Sequence, residues 1–319
     1  MAEAGPEGER EIGHYQTATT GGIDYASVPW RLWEKSKRLF WNPADIDFSR
    51  DAADWREMTD GERALVAMSA RGFMVGEEAV TLDIIPLLRC MSDLGRLEDT
   101  MYLAMFTMEE AKHTEMFRRW FDAVGLDPSS LDALAAEQQA ARGRPGIFDG
   151  PLTAVMRRLD TDRSPQALLD ASIIYNQFIE GVLAVAGYQR WDETFLRLGD
   201  KLPGLQAGLR LTQRDERRHI AYGTYLARRV LAENPGLWEW FEERWAKLTA
   251  NLTGGYGADE GSTAQDGARQ REARELAELY QRLSKRRLEA LAVARTMRVA
   301  EVDASAIEAF EPEELQHVG

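Results

Sequence analysis

A lone Glu followed, about one helical hairpin later, by Glu-x-x-His occurs twice in this 319-residue chain. Glu77 precedes Glu110-x-x-His113, and Glu180 precedes Glu216-x-x-His219, with gaps of 33 and 36 residues. Positions three apart share one face of an α-helix, so each Glu-x-x-His points two side chains at one spot. Two such pairs and two lone Glu residues make the ligand set of a dimetal carboxylate site inside a four-helix bundle. The pattern predicts an all-α fold. Alternating strand patterns and βαβ units are lacking, and no glycine-rich phosphate loop appears.

Spacing alone is weak evidence, because each of the 4 histidines has a Glu three residues earlier. Glu11-x-x-His14 lies in a polar N-terminal stretch and Glu314-x-x-His317 in an acidic tail, neither on an apolar helical stripe. The inner pairs differ. Phe106, Glu110, His113, Phe117 and Trp120 step along one face, as do Leu205, Leu209, Thr212, Glu216, His219 and Leu226. Glu77 lies between Phe73, Val80 and Ile84, and Glu180 sits in an apolar run with no Lys or Arg between Arg163 and Arg190. An unpartnered buried carboxylate costs several kcal/mol, so carboxylates on core stripes call for cations. Surface salt-bridging is the competing account for any one Glu, but it does not explain six matched positions. Glu110 is preferred over Glu109 by its spacing to His113; periodicity does not decide between Glu77 and Glu78. Four carboxylates and two imidazoles without a thiolate suit iron or manganese better than copper(I) or structural zinc.

Composition narrows the partners. A net charge of −14 opposes nucleic-acid binding. The single cysteine, Cys90, rules out an intramolecular disulfide and reads as a small core residue. Apolar runs fall short of the roughly 18 residues of a membrane helix, and no export signal is evident, which points to the cytoplasm.

Three parts are expected: a flexible segment over 1–24, a single helical domain over 25–300 and a loose acidic tail over 301–319. An aromatic arm carrying Trp30, Trp33, Phe40, Trp41 and Trp55 covers 25–60. Helices are expected over 61–91 with a kink at Pro86, over 96–123, as a shorter pair within 129–161, and from Ser164-Pro165 to about Gln189. Further helices follow from Pro203-Gly204 to about 233, over 236–251 and over 265–297, with a mobile loop at 252–264.

With these residues in view, the chain resembles the ferritin-like superfamily, and more closely the small subunits of class I ribonucleotide reductase. The resemblance spans about 35–235 and includes Asp215-Glu216-x-x-His219 and Phe40-Trp41-Asn42-Pro43. It implies a ferritin-like four-helix bundle with additional helices, and a hydrogen-bonded electron-transfer chain of Trp41, Asp215 and His113. The family's radical Tyr position is Phe117 here, its usual first Asp is Glu77, and no Tyr follows Tyr280. The chain is more similar to the ligand-binding oxidases related to that subunit, which carry Glu77-x-x-Val80 and a Tyr five residues before the third Glu, here Tyr175 before Glu180. That likeness implies a homodimeric oxidase that activates dioxygen and holds a long-chain fatty acid. Manganese would be held by Glu77, Glu110 and His113, and iron by Glu180, Glu216 and His219, with a di-iron form as the variant. A self-made ether would join Val80 to Tyr175. The alternative is a manganese/iron reductase subunit. Ala184, Ala186 and Gly187 either leave room for an acyl chain or pack helices closely.

Overall fold

Ser27 accepts the Trp30 amide and Pro29 occupies the first turn, which starts helix α1 (Val28–Arg38). The computed structural model describes residues 15–19, 21–141, 146–148, 150–252 and 264–315. The His14 and His317 pairs and nearly all of the expected 252–264 loop lie outside the described residues.

After α2 (Ser49–Glu57), Thr59 and Glu62 form a reciprocal capping box that opens α3 (Asp60–Asp83). The expected helix over 61–91 is instead two helices. The chain breaks at Ile84, and Pro86 lies in the first turn of α4 (Ile85–Asp93). Lacking an N–H, proline is tolerated in a first turn and not inside a helix, so the break comes before it rather than at it. Helix α5 (Leu97–Val124) stops at Gly125, whose φ of 70° is left-handed. Two short helices follow, α6 (Asp132–Ala141) and α7 (Pro151–Arg158).

Ser164 caps α8 (Pro165–Ser172), which passes into a π-helical segment (Ile173–Ala184) and then α9 (Val185–Leu198). This helix outruns its expected end near Gln189 because Trp191 and Phe195 remain buried against the core. Its 34 residues reach the length and hydropathy of a membrane span, and 89% of the apolar window is buried inside the fold. It is a core helix. Helix α10 (Pro203–Glu233) completes a four-helix core with α3, α5 and the α8–π–α9 helix. Outside it lie α11 (Trp238–Thr249), α12 (Ala264–Ala292) and α13 (Val299–Asp303). Among the described residues the fold is all-α. A Cβ on Gly223 would fall 2.0 Å from Asn176 Cβ, so the glycine lets α10 lie directly on the π segment.

The described residues near each end pack against the body of the fold. Gln16 and the Asp24 amide both bond to Glu98. Contrary to the expected loose tail, Ile307, Phe310 and Leu315 are buried, and Glu311 takes ion pairs from Lys35 and Arg217. Three apolar side chains suffice to dock an otherwise acidic strap. Cys90 is a buried free thiol pushed up to about 11 by burial, which makes it unreactive.

Candidate metal centre

Each core helix brings an acid to the centre of the bundle: Glu77 from α3, Glu110 with His113 from α5, Glu180 from the π segment, and Glu216 with His219 from α10. All six side chains are buried, the most exposed at 6%. Their ligating atoms form two groupings, Glu77, Glu110, His113, Glu216 and Glu110, Glu180, Glu216, His219, each within 4.8 Å of one another. Glu110 and Glu216 belong to both, so these two carboxylates stand between the groupings. His113 Nδ1 lies 3.3 Å from Glu77 Oε2, and His219 Nδ1 lies 3.1 Å from Glu110 Oε1. Glu78 is exposed, whereas Glu77 is buried beside these side chains.

The acid just before each motif crosses to the other helix's histidine. Asp215 on α10 meets His113 Nε2 at 3.2 Å, and Glu109 on α5 meets His219 Nε2 at 2.9 Å. With Nε2 facing these acids, loss of the Nδ1 proton would leave each Nδ1 lone pair facing the carboxylates, as a metal-binding imidazole requires. Arg218 ties both acids together, donating to Glu109 at 2.6 Å and Asp215 at 2.5 Å, with Nε bonded to Ser36 at 2.8 Å. Trp41 Nε1 and Lys112 Nζ donate to Asp215 at 2.7 and 3.0 Å, so Trp41, Asp215 and His113 are hydrogen-bonded in series. Sequence reasoning found Asp215 but missed the matching role of Glu109, and also Lys112, Arg218 and Ser36. An acid preceding both Glu-x-x-His motifs was the available signal.

The residues fit a metal pair. Glu110 Oε2, Glu180 Oε1, Glu216 Oε2 and His219 Nδ1 are buried without a hydrogen-bond partner, an expensive condition for protein atoms facing only each other. Six buried acids (Glu77, Glu109, Glu110, Glu180, Asp215, Glu216) face two cations, Lys112 and Arg218. With all six acids ionised and both imidazoles neutral, as metal binding requires, four negative charges are left over, matching two divalent ions. Oxygen and imidazole donors suit manganese and iron.

Burial pushes Glu77 and Glu180 well above the ordinary carboxyl range, with neighbouring acids adding to it, and raises Glu216 as well. Burial works against charge on the imidazoles, but Glu77 beside His113 and Glu110 beside His219 hold both well above 6.5. Glu110 and Asp215 go the other way. Burial opposes their ionisation, yet His219 and His113 hold Glu110 low, and His113, Arg218 and Lys112 hold Asp215 low. These shifts set the pH response of metal-free protein. Groups with raised values keep protons that the unfolded chain releases above 4.5 for Glu and 6.5 for His. Their stabilisation is complete below those values and fades as pH climbs through the raised ones. Thermal unfolding of chelator-treated protein should therefore shift to lower temperature as pH climbs above 6.5, while metal affinity rises over the same range as competing protons leave. Apo-protein that grows more stable across this interval contradicts the assignment.

Tyr175 donates to Glu110 Oε1 at 3.1 Å, and Val80 is buried one turn beyond Glu77. Phe117 packs on Phe73 at 5.9 Å between ring centres. Gly187 makes room for the same Phe73, whose ring a Cβ would meet at 2.6 Å. Ala186 is fully buried as well.

Four carboxylates and two imidazoles converging from four helices define a ferritin-like dimetal-carboxylate protein. Comparison with known proteins agrees. The family model for the ribonucleotide reductase small chain matches residues 23–252. The R2-like ligand-binding oxidase from Sulfolobus acidocaldarius is 35% identical and superposes with a TM-score of 0.76, covering 91% of this chain and 98% of that one. An R2-like ligand-binding oxidase glycine variant with an anaerobically reconstituted Mn/Fe cofactor is 34% identical, with a TM-score of 0.75 and coverages of 88% and 98%. A tyrosine variant with an aerobically reconstituted Mn/Fe cofactor is 33% identical, with a TM-score of 0.71 and coverages of 89% and 98%. The chain belongs to the ribonucleotide reductase small-chain family and, within it, to the R2-like ligand-binding oxidases. It is an oxidoreductase with Glu/Glu/His groupings able to bind metal.

Proposed function

We propose that Glu77, Glu110 and His113 hold manganese, that Glu180, Glu216 and His219 hold iron, and that the protein performs two-electron C–H oxidation driven by dioxygen. The observation that carries this reading is the pair of four-residue groupings sharing Glu110 and Glu216, with the Tyr175 hydroxyl bonded to Glu110. Metals bound there supply dioxygen reduction and the oxidising power for the C–H bond. The protein supplies the rest. Glu109 and Asp215 fix both imidazoles, the buried helices exclude water, and Tyr175 is positioned by its bond to Glu110. The oxidase relatives favour this activity over that of a radical-generating reductase subunit.

The first C–H bond oxidised is on Val80 Cβ. An ether forms from Cβ to the Tyr175 oxygen, breaking one C–H and one O–H bond. The two hydrogens removed give two electrons and two protons toward reduction of dioxygen to water; the remaining two electrons would come from metals held by the six ligands, and the remaining two protons from solvent. In support, Val80 is on the inner face of α3 and Tyr175 is held in place by the shared ligand Glu110. Related oxidases have been studied as variants of a glycine, of a valine four residues later and of a tyrosine. Gly76 and Val80 repeat that spacing here. A long-chain fatty acid, its carboxylate toward the metals, is the proposed bound lipid, and a homodimer the proposed assembly.

Intact-protein mass before and after aerobic loading with both metals is the test. The wild-type chain should lose two hydrogens, mapped to a peptide joining Val80 and Tyr175. Tyr175→Phe should bind the same metals and lose none. Unchanged wild-type mass at full metal loading would sink the cross-link.

A further inference from the structure

We propose that a row of aromatic side chains on the His219 side of the site carries oxidising equivalents to the surface, ending on Tyr222 and Tyr225. The proposal rests on the dimetal oxidase reading above and concerns residues that reading leaves unused. The row begins with Phe106, whose ring stacks on His219 at 3.6 Å between centres and 19° between planes. Phe106 lies 6.0 Å from Tyr102, Tyr102 lies 5.1 Å from Tyr222, and Tyr222 lies 6.4 Å from Tyr225. All four rings are buried, at 2% exposure or less.

Aromatic packing alone would explain the contacts. It does not explain how the phenol oxygens are partnered. A phenol gives up an electron readily only if its proton has somewhere to go. Tyr102 Oη has no hydrogen-bond partner, so Tyr102 and Phe106 act as a bridge. Tyr222 donates to Asp99 Oδ1 at 3.0 Å, and Arg96 fixes that carboxylate with two bonds of 3.0 Å. Tyr225 donates to Asp303 Oδ1 at 3.1 Å. The Asp303 and Arg229 side chains around it are 36% and 29% exposed, so the row ends at solvent.

The transfer balances step by step. When Val80 and Tyr175 do not supply their two electrons, Tyr222 gives one electron to the oxidised site, and its hydroxyl proton moves to Asp99. Tyr225 then reduces the Tyr222 radical. Its own proton goes to Asp303, and Asp99 returns the proton to Tyr222. A soluble one-electron donor of the thiol or enediol class then reduces the Tyr225 radical from the part-exposed Asp303 and Arg229 surface, Asp303 returns the proton to Tyr225, and the donor's own proton goes to solvent. The row thus drains oxidising equivalents that would otherwise attack the ligands.

The test uses full-length Tyr175→Phe protein loaded with manganese and iron, mixed with dioxygen and freeze-quenched for electron paramagnetic resonance. A tyrosyl radical signal is expected. It should vanish in Tyr175→Phe/Tyr222→Phe/Tyr225→Phe and persist in Tyr175→Phe/Tyr188→Phe, Tyr188 being a buried tyrosine outside the row. Fluorotyrosine at position 222 or 225, which preserves packing, should change the spectrum even if the phenylalanine variants fold poorly. Ascorbate should quench the signal. An unchanged spectrum with both fluorotyrosines, loss in Tyr188→Phe, or no organic radical at all overturns the proposal. Metal content and the wild-type mass loss, measured on the same preparations, report separately on the oxidase reading.

Discussion

Arg218→Ala should destabilise the protein by about 3–5 kcal/mol, because it removes one member of a buried ionic network and leaves its partners behind. Arg218 is 1% exposed and is the one side chain bonded to both Glu109 and Asp215. Without it, two buried acids lose their shared cation, and Lys112 remains beside Asp215 alone. These acids orient His113 and His219, so the loss reaches both halves of the site. Metal affinity should drop about 10–100-fold, the usual cost of disturbing groups behind metal-bound histidines. Arg218→Lys should recover little, since one ammonium cannot span Glu109, Asp215 and Ser36 as the guanidinium fork does. Denaturant unfolding and metal titration on both variants check this. An Arg218→Ala protein of native stability and affinity would show that the network is incidental.

Glu110→Ala should lose both metals, whereas Glu77→Ala and Glu180→Ala should each lose chiefly one. Glu110 lies in both groupings, while Glu77 and Glu180 each lie in one. Oxidase activity of Glu110→Ala should fall by more than the roughly 10–100-fold expected for residues behind the ligands. Stability without metal should respond in the opposite sense. Glu180 is buried with Oε1 unpartnered and its carboxyl pushed up by burial, so it strains the metal-free fold. Burial and the neighbouring Glu216 disfavour its charged form, and a neutral amide of like volume removes that penalty, so metal-free Glu180→Gln should melt no lower than wild type. Elemental analysis of the three alanine variants and melting of the apo-proteins decide both points. Equal metal loss from all three would contradict the sharing.

The convergence of the six side chains was legible in the sequence because it obeys a local rule. On a regular helix, positions 110 and 113 or 216 and 219 face one way, and the flanking Phe106 and Leu209 mark that way as inward. Glu109 was not legible as the partner of His219, because its meaning depends on how α5 packs against α10. In isolation it reads as a substitute for Glu110. The π segment left no compositional trace either. Ile173 to Glu180 has the look of any apolar helix, and nothing in its residue types marks the π hydrogen bonding. Pro86 marked a disruption but not its form, since a kink and a fresh start at Ile85 place the proline equally well. The tail was misjudged because net acidity hid the spacing of Ile307, Phe310 and Leu315.

The most direct measurement is a crystal structure of the aerobically loaded protein with anomalous data at the manganese and iron edges. Two ions should lie between the four core helices, manganese against Glu77 and His113, iron against Glu180 and His219, with Glu110 and Glu216 reaching toward both. Ions bound elsewhere, or a centre in which His113 and His219 contact only protein atoms after loading, would contradict it.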